Sequence, residues 1–262
     1  MEILNFFAQR SAGFIHGAGP EGTRHLFSVL PLRGHERVLE IGVGTGASLV
    51  ALKSVWPRIR VEGLDCNAAM LRSAERRLRF CGLRDVPLHR VPPDEAYPFA
   101  TASFDLIFAE SVLAIQPTDG LRNMLREFQR LLRPGGHLAF NETIWLPGWS
   151  LTDRQALNQR CRELFDLTFS NAELADVTDW KKLLAEEGWQ LEYCARVEAP
   201  SGRMSLGWRN RLSQGYSKWQ HWRARRDSQY AAQAQWLADK ERELADKDQP
   251  GSNAYIMLGR KG

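Results

Sequence analysis

The sequence has few cysteines and no long apolar run. Its four cysteines lie far apart without paired spacing, which argues against a disulfide framework and a zinc site. Arg, Lys, Gly or Pro interrupts every apolar stretch before the roughly 18 residues that a membrane-crossing helix needs. The amino-terminal residues lack the basic flank, apolar run and cleavage site of a secretory signal. We therefore expect a cytoplasmic protein with reduced thiols, no bound metal and no membrane partner.

The sequence also has little excess charge of either sign. Among 262 residues, 35 Lys and Arg stand against 31 Asp and Glu, an excess too small to indicate a nucleic-acid-binding protein by itself. A composition of 44% hydrophobic and 25% charged residues is that of an average globular protein and excludes a disordered chain. The length fits one large domain or two small ones.

From Arg37 onward, short apolar runs alternate with longer amphipathic stretches. This alternation is typical of an α/β fold, in which strands and helices alternate around a mostly parallel sheet. Two longer stretches, 147–175 and 200–251, have helical character, and we expect both to lie at an edge of the sheet. Strands are predicted at 37–43, 59–65, 86–91, 104–109, 137–145, 191–197 and 254–259.

The segment VLEIGVGTG at 38–46 places Gly42, Gly44 and Gly46 between a buried strand and a helix. Glycine permits a sharp turn with positive φ and exposes backbone amides at the positive end of the following helix. Asp65 ends the next strand, nineteen residues beyond Gly46, where a carboxylate can accept hydrogen bonds from ribose hydroxyls. The pattern predicts a site for an adenosine-containing ligand, with a tight turn that binds nothing as the alternative.

The spacing of the glycines discriminates between adenosine ligands. A dinucleotide-binding loop has two residues between its last two glycines, whereas here there is one. Glu40 precedes the loop, in a position to help hold an ammonium group. An acidic residue there suits the amino-acid tail of S-adenosylmethionine better than a pyrophosphate.

Three further segments follow the glycine loop along the chain: VEGLDCNAAML at 61–71, PDEAYPF at 93–99 and LLRPGGHL at 131–138. Together they resemble the class I, Rossmann-like S-adenosylmethionine-dependent methyltransferases of the small-molecule type. The resemblance covers roughly residues 35–145. It implies a seven-stranded, mostly parallel sheet with an antiparallel last strand and helices on both faces. Residues 35–262 would form this domain, preceded by a helical lid segment at 1–34.

The resemblance also implies which residues contact S-adenosylmethionine. Glu40, Gly42, Gly44 and Gly46 would surround the methionine moiety, and Asp65 would bind the ribose. A second set would lie around the adenine or at the mouth of the fourth strand: Cys66, Met70, Asp94, Glu95 and Glu110. For Cys66 and Met70, packing in the core is an alternative of at least equal weight.

Methyl transfer from a sulfonium is an in-line displacement, so the protein mainly aligns the nucleophile, excludes water and, where needed, removes a proton. Two residues are candidate bases: Glu142, in the predicted fifth strand, and His16, in an amino-terminal segment that could fold over the cofactor. The alternatives are a carboxylate hydrogen-bonded to the adjacent helical lid for Glu142 and a surface or capping histidine for His16. Trp145 and Trp149 are expected to line the acceptor pocket.

The stretch 203–226 holds seven Arg or Lys residues and no acidic one. Three interpretations remain open: a helical cap whose tryptophans pack on the core, a lid over an acidic aromatic substrate, and an RNA-binding arm. The aromatic residues interleaved in this stretch are Trp208, Tyr216, Trp219 and Trp222.

The sequence thus predicts an S-adenosylmethionine-dependent methyltransferase acting on a small aromatic or apolar metabolite. Two alternatives remain: an RNA methyltransferase that uses 203–226 as its binding arm, and a non-catalytic protein that binds an adenosine ligand. The oligomeric state is not predicted.

Overall fold

A computed structural model describes residues 3–93, 95–197, 205–244 and 251–262. Its strands are β1 (Arg37–Ile41), β2 (Arg60–Asp65), β3 (Leu88–Arg90), β4 (Phe104–Glu110), β5 (Leu132–Trp145), β6 (Trp189–Arg196) and β7 (Ser252–Lys261). They form a seven-stranded sheet in the order β3-β2-β1-β4-β5-β7-β6. β7 runs antiparallel to both β5 and β6, and the other pairings are parallel. This arrangement confirms the predicted fold class and topology.

Helices connect the strands and precede the sheet. In the described ranges they are α1 (Ile3–Gln9), α2 (Gly19–Val29), α3 (Ala47–Val55), α4 (Ala68–Phe80), α5 (Thr118–Leu131), α6 (Leu151–Phe165), α7 (Val177–Glu186), α8 (Gly207–Ala224) and α9 (Ser228–Leu244). α4 begins at Ala68, because the side chain of the preceding Asn67 accepts hydrogen bonds from the backbone N–H groups of Ala69 and Met70.

The two central strands are apolar on both faces because helices cover the sheet on both sides. Val38 and Leu106 pack in one core cluster with residues of α3 and α4. Their chain neighbours Leu39 and Ile107 point to the opposite face, where they pack with residues of α5. The parallel strands therefore end at a common edge that is supported from both sides, and the glycine loop lies at that edge.

The position of α8 differs from the prediction for residues 200–251. The helix does not lie at the sheet edge but packs against α3 and, less extensively, against α4. Its inward face carries Asn210, Ser213 and Tyr216, whereas three tryptophans point outward. Of the three interpretations left open by the sequence, this orientation excludes the one in which the tryptophans pack on the core. The helix is held instead by small polar groups that accept hydrogen bonds from α4.

The glycine loop packs closely on α4, which leads to a stability prediction. Gly46 has φ +79°, and a Cβ there would lie 3.0 Å from Ala74 Cβ and 3.1 Å from Ala74 Cα. Gly82 has a similar φ of +74° but no atom within 4 Å of the same position. In denaturant unfolding, Gly82→Ala should cost about 1–2 kcal/mol from backbone strain alone. Gly46→Ala should cost about 3–4 kcal/mol because a steric clash is added. Equal losses would contradict the close packing.

Candidate cofactor site

The glycine loop turns from β1 into α3 through three left-handed glycines. Gly42, Gly44 and Gly46 have φ of +72°, +53° and +79°. A Cβ at Gly42 would lie 2.3 Å from Val112 Cγ2, so packing requires glycine there. Among the described residues, the atoms within 4 Å of a Cβ at Gly44 would all belong to the side chain of Ile15, the nearest at 3.5 Å. Gly44 therefore leaves a cradle, which Ile15 covers as part of residues 11–18, the N-terminal segment.

Three carboxylates lie at the carboxyl ends of the neighbouring strands β1, β2 and β4: Glu40, Asp65 and Glu110. We call them the carboxylate rim. Burial, together with the charges of Glu110 and Asp65, raises the pKa of Glu40 well above its ordinary value. Burial also raises the pKa of Asp65. Within the described ranges, no group of three His, Cys, Asp or Glu residues has an arrangement that could hold a metal. Because burial disfavours the charged form of these groups and a paired cation favours it, the rim suits an organic cation.

Glu40 has one oxygen without a partner. Its Oε1 accepts a hydrogen bond of 2.6 Å from Ser48 Oγ. Its Oε2 is buried and has no hydrogen-bond partner among the described residues. A buried polar atom left unpaired is costly, and a bound ammonium group would pair it. Glu40 therefore fits the expected amino-acid tail of S-adenosylmethionine.

Asp65 fastens the glycine loop to the start of α4. Its Oδ2 accepts a hydrogen bond of 2.8 Å from Gly44 N, and its Oδ1 accepts one of 2.8 Å from Asn67 N. Each carboxylate oxygen has two acceptor sites, so capacity for a ribose hydroxyl remains. The sequence indicated the ligand role of this residue but not its role in shaping the loop.

The residues expected around the adenine differ in their exposure to solvent. Met70 is buried in the first turn of α4, in agreement with the core-packing alternative. Cys66 is exposed directly after Asp65, and Glu95 is exposed in the loop after β3. Asp94 lies outside the described residues. The structure thus leaves Cys66 and Glu95 accessible near this edge.

His16 lies at the carboxylate rim, as expected, but both of its ring nitrogens are engaged. Asn141 Nδ2 donates to His16 Nδ1 at 3.2 Å and to Glu110 Oε2 at 3.1 Å. The accepting Nδ1 assigns the proton to Nε2 in the neutral ring. Nε2 lies 3.0 Å from Thr23 Oγ1 and 3.2 Å from Glu110 Oε2. In this arrangement the histidine ties the N-terminal segment to the rim.

Glu142, the other candidate base, has backbone N–H groups as partners for both of its carboxylate oxygens. Its Oε1 accepts from the backbone N–H groups of Val112 and Leu113 at 2.9 and 2.8 Å, and its Oε2 accepts from that of Ala114 at 3.1 Å. The side chain is buried, which raises its pKa to about 7. Glu142 thus fixes the loop after β4, whereas the alternative interpretation places its hydrogen-bond partners in the adjacent helical lid.

Trp145 is also in the core rather than in an acceptor pocket. Its Nε1 donates to the carbonyl of Asn171 at 2.8 Å, and its ring lies 5.2 Å from that of Phe169. Leu157 of α6 packs in the same cluster. Trp149 is half-buried just before α6. The alternation of β5 places Trp145 under the helix that follows the strand.

A residue that the sequence analysis did not single out joins three parts of the site. Arg77 is fully buried and donates through Nε to the carbonyl of Thr45 in the glycine loop at 2.8 Å. Its Nη1 donates to Ser213 Oγ of α8 at 2.7 Å, and its Nη2 donates to the carbonyl of Ser11. Burial lowers its pKa to about 10. Its burial could have been predicted from helical spacing, because Arg77 lies seven residues after Met70 on the apolar stripe of α4.

We expect Arg77→Met to lower the free energy of unfolding by about 2–4 kcal/mol, because several buried acceptors lose their donor at once. Arg76→Met is the matched control, since Arg76 is exposed on the same helix. Urea unfolding measures the loss, and hydrogen exchange of residues 11–18 reports loosening of the N-terminal segment. A loss no larger than that of Arg76→Met would contradict the joining role.

Glu40→Gln, unlike Arg77→Met, should raise the free energy of unfolding, and the size of this increase should depend on pH. Because the folded-state pKa of Glu40 is raised, ionisation on going to higher pH destabilises the folded protein relative to the unfolded chain. The variant should therefore be more stable than the parent at pH 8. This advantage should shrink as the pH falls and vanish below the ordinary carboxyl pKa. Unfolding curves across this range measure it, and a destabilised variant at pH 8 would contradict the unpaired state of Oε2.

Comparison with known proteins agrees with this geometry. Residues 38–136 match the family described as a methyltransferase domain. The chain is 38% identical over 118 residues to a malonyl-[acyl-carrier protein] O-methyltransferase of Enterobacter lignolyticus, covering 44% of this chain and 42% of that protein. It is 37% identical over 116 residues to a trans-aconitate 2-methyltransferase of Azoarcus sp., with the same shares of 44% and 42%. The chain thus aligns with less than half the length of these relatives.

A solved structure extends the likeness to most of the fold. Geranyl diphosphate C-methyltransferase from Streptomyces coelicolor, in complex with Mg²⁺, a geranyl thiolodiphosphate and S-adenosyl-L-homocysteine, has a TM-score of 0.61 at 14% identity. The likeness covers 93% of this chain and 76% of that one. Together with the sheet order, this likeness shows that most of the chain has the fold of that structure, while the match to the methyltransferase domain family covers residues 38–136.

Proposed function

We propose that this chain transfers the methyl group of S-adenosylmethionine to a small-molecule acceptor. The observation that supports this most directly is the carboxylate rim, with its unpaired oxygen on Glu40. S-adenosylmethionine carries a sulfonium and an ammonium group, both of which a negative edge attracts. The same edge would repel the pyrophosphate of a dinucleotide.

The residues of the site then have distinct tasks. When bound, S-adenosylmethionine supplies an electrophilic methyl carbon. Glu40 accepts a hydrogen bond from the ammonium group, and Asp65 accepts from the ribose while holding the glycine loop in place. The N-terminal segment covers Gly44 and excludes water. Because His16 and Glu142 are held by hydrogen bonds, we assign catalysis to alignment and water exclusion rather than to either residue as a base.

For the acceptor, we propose a small apolar or aromatic molecule. Apolar side chains flank the glycine loop: Ile15 approaches Gly44 from the N-terminal segment, and Val112 approaches Gly42 from the loop after β4. Phe14 lies beside them, edge-on to His16 at 6.1 Å. A site covered by its own N-terminal segment favours a small acceptor over a polymer.

Calorimetry with two ligands tests the proposed binding roles. Glu40→Gln should weaken S-adenosylmethionine about 10- to 100-fold, the value of a lost charge-assisted hydrogen bond. It should leave methylthioadenosine unchanged, because that ligand lacks the amino-acid tail. Asp65→Ala should weaken both ligands. Glu62→Gln, also in β2 but away from the rim, is the control.

Two results would contradict the proposal. One is binding of a nicotinamide dinucleotide without binding of S-adenosylmethionine. The other is an equal loss of both adenosine ligands in Glu40→Gln. Transfer itself is tested by incubation with S-adenosylmethionine and a metabolite extract, in which S-adenosylhomocysteine should accumulate. Tight binding without any such product would favour the non-catalytic alternative.

A further inference from the structure

Most of the exposed large apolar side chains in the described ranges belong to one surface. Four of them lie on α8, and a fifth, Phe80, ends α4 beside it; they are 38% to 58% exposed. Tyr216 connects the two helices, because its ring lies 4.8 Å from Phe80 and 6.1 Å from Trp219. We call this surface the tryptophan stripe, which comprises Phe80, Trp208, Leu212, Trp219 and Trp222.

The spacing of the α8 members makes the stripe continuous. At about 100° per residue, the four positions fall within an arc of about 80° on one face of the helix. With 18 residues, α8 is about 27 Å long, and the stripe runs over most of that length. The opposite face is already occupied, because Asn210, Ser213 and Tyr216 are buried against the body of the protein. The stripe therefore lacks a partner among the described residues.

Cationic side chains flank the stripe on both sides. The helical spacing places Arg209 and Arg223 on one side and Arg211 and Lys218 on the other. Three guanidinium groups stack on its indoles: Arg209 over Trp208 at 4.5 Å, Arg223 over Trp219 at 5.4 Å and Arg226 over Trp222 at 3.9 Å. The sequence has no Asp or Glu from 203 to 226. An apolar stripe bordered by positive charge is the pattern of a helix that lies in a membrane interface.

We propose that the tryptophan stripe docks this chain onto an anionic lipid bilayer, with α8 lying in the plane of the headgroups. Indole rings favour the boundary between headgroups and acyl chains, where an apolar body and a polar N–H are both accommodated. The flanking cations pair with anionic phosphates, and their stems follow the apolar surface. No described helix has the length and apolar character needed to cross a bilayer, so the docking is peripheral. This inference revises the expectation of no membrane partner.

Two other occupants fit the stripe less well than a bilayer. A second copy of the chain would bring two rows of cations together without a carboxylate from either α8 to neutralise them. Single-stranded RNA would need free indole faces for base stacking, but guanidinium groups already lie over three of the rings. Leu212 and Phe80 add apolar area that suits acyl chains rather than bases. A bilayer can contact both features, because its acyl chains pack against the apolar stripe and its anionic headgroups pair with the flanking cations.

Vesicle co-sedimentation with the full chain tests the proposal. The probes are vesicles of pure phosphatidylcholine and vesicles of equal parts phosphatidylcholine and phosphatidylglycerol. The parent should bind the anionic vesicles and only weakly the neutral ones. Arg211→Glu combined with Lys218→Glu should reduce binding about 30-fold or more, since each cation near the surface contributes about 1 kcal/mol. Trp219→Ala combined with Trp222→Ala should reduce it about tenfold or more.

The controls carry changes of the same kind, a charge reversal and an apolar truncation, at exposed positions away from the stripe. Lys181→Glu on α7 and Leu151→Ala on α6 alter exposed residues and should leave vesicle binding unchanged. All variants are compared at equal foldedness, measured by thermal unfolding. Absence of binding to anionic vesicles at low salt would overturn the proposal. So would RNA binding, or self-association lost in the tryptophan variant, if either occurs without vesicle binding. Because no cofactor is added, the result is independent of the proposed methyl transfer.

Discussion

The burial of carboxyl groups at the ends of neighbouring strands is the constraint on which this site depends. Glu40 is buried with one oxygen unpaired, and the charges of Asp65 and Glu110 add to the effect of burial on its pKa. Such an arrangement opposes the stability of the ligand-free fold. It becomes favourable once a cation lies against the rim. In the proposed function, the same buried carboxyl groups would destabilise the ligand-free site and favour a cationic ligand.

The surrounding contacts hold this rim in place. Asp65 fixes the loop at Gly44, and His16 connects the N-terminal segment to Glu110. Arg77 links the same segment and loop to α8 through buried hydrogen bonds. Loop, N-terminal segment and α8 thus form one hydrogen-bonded unit around a buried cation. A change in the packing of α8 would reach the glycine loop through Arg77.

Much of this structure could be predicted from the sequence because its signals are local. The turn at the glycine loop and the helix cap at Asn67 are each encoded by a few neighbouring residues. The central strands can be predicted from their apolar composition. The outward tryptophans of α8 could not be predicted, because helical spacing alone does not tell which face is buried. The buried face depends on the group that the helix packs against. For α8 this group is the guanidinium of Arg77, which donates a hydrogen bond to the hydroxyl of Ser213. Glu142 is similar, since its backbone partners lie about 30 residues away in the chain.

The account depends most on the unpaired oxygen of Glu40, and a crystal structure of the complex with S-adenosylhomocysteine tests it directly. The account predicts the ammonium nitrogen of the ligand at about 3 Å from Glu40 Oε2. It also predicts the ribose against Asp65. A ligand bound with its amino-acid tail elsewhere, while Glu40 Oε2 remains without a partner, would contradict it.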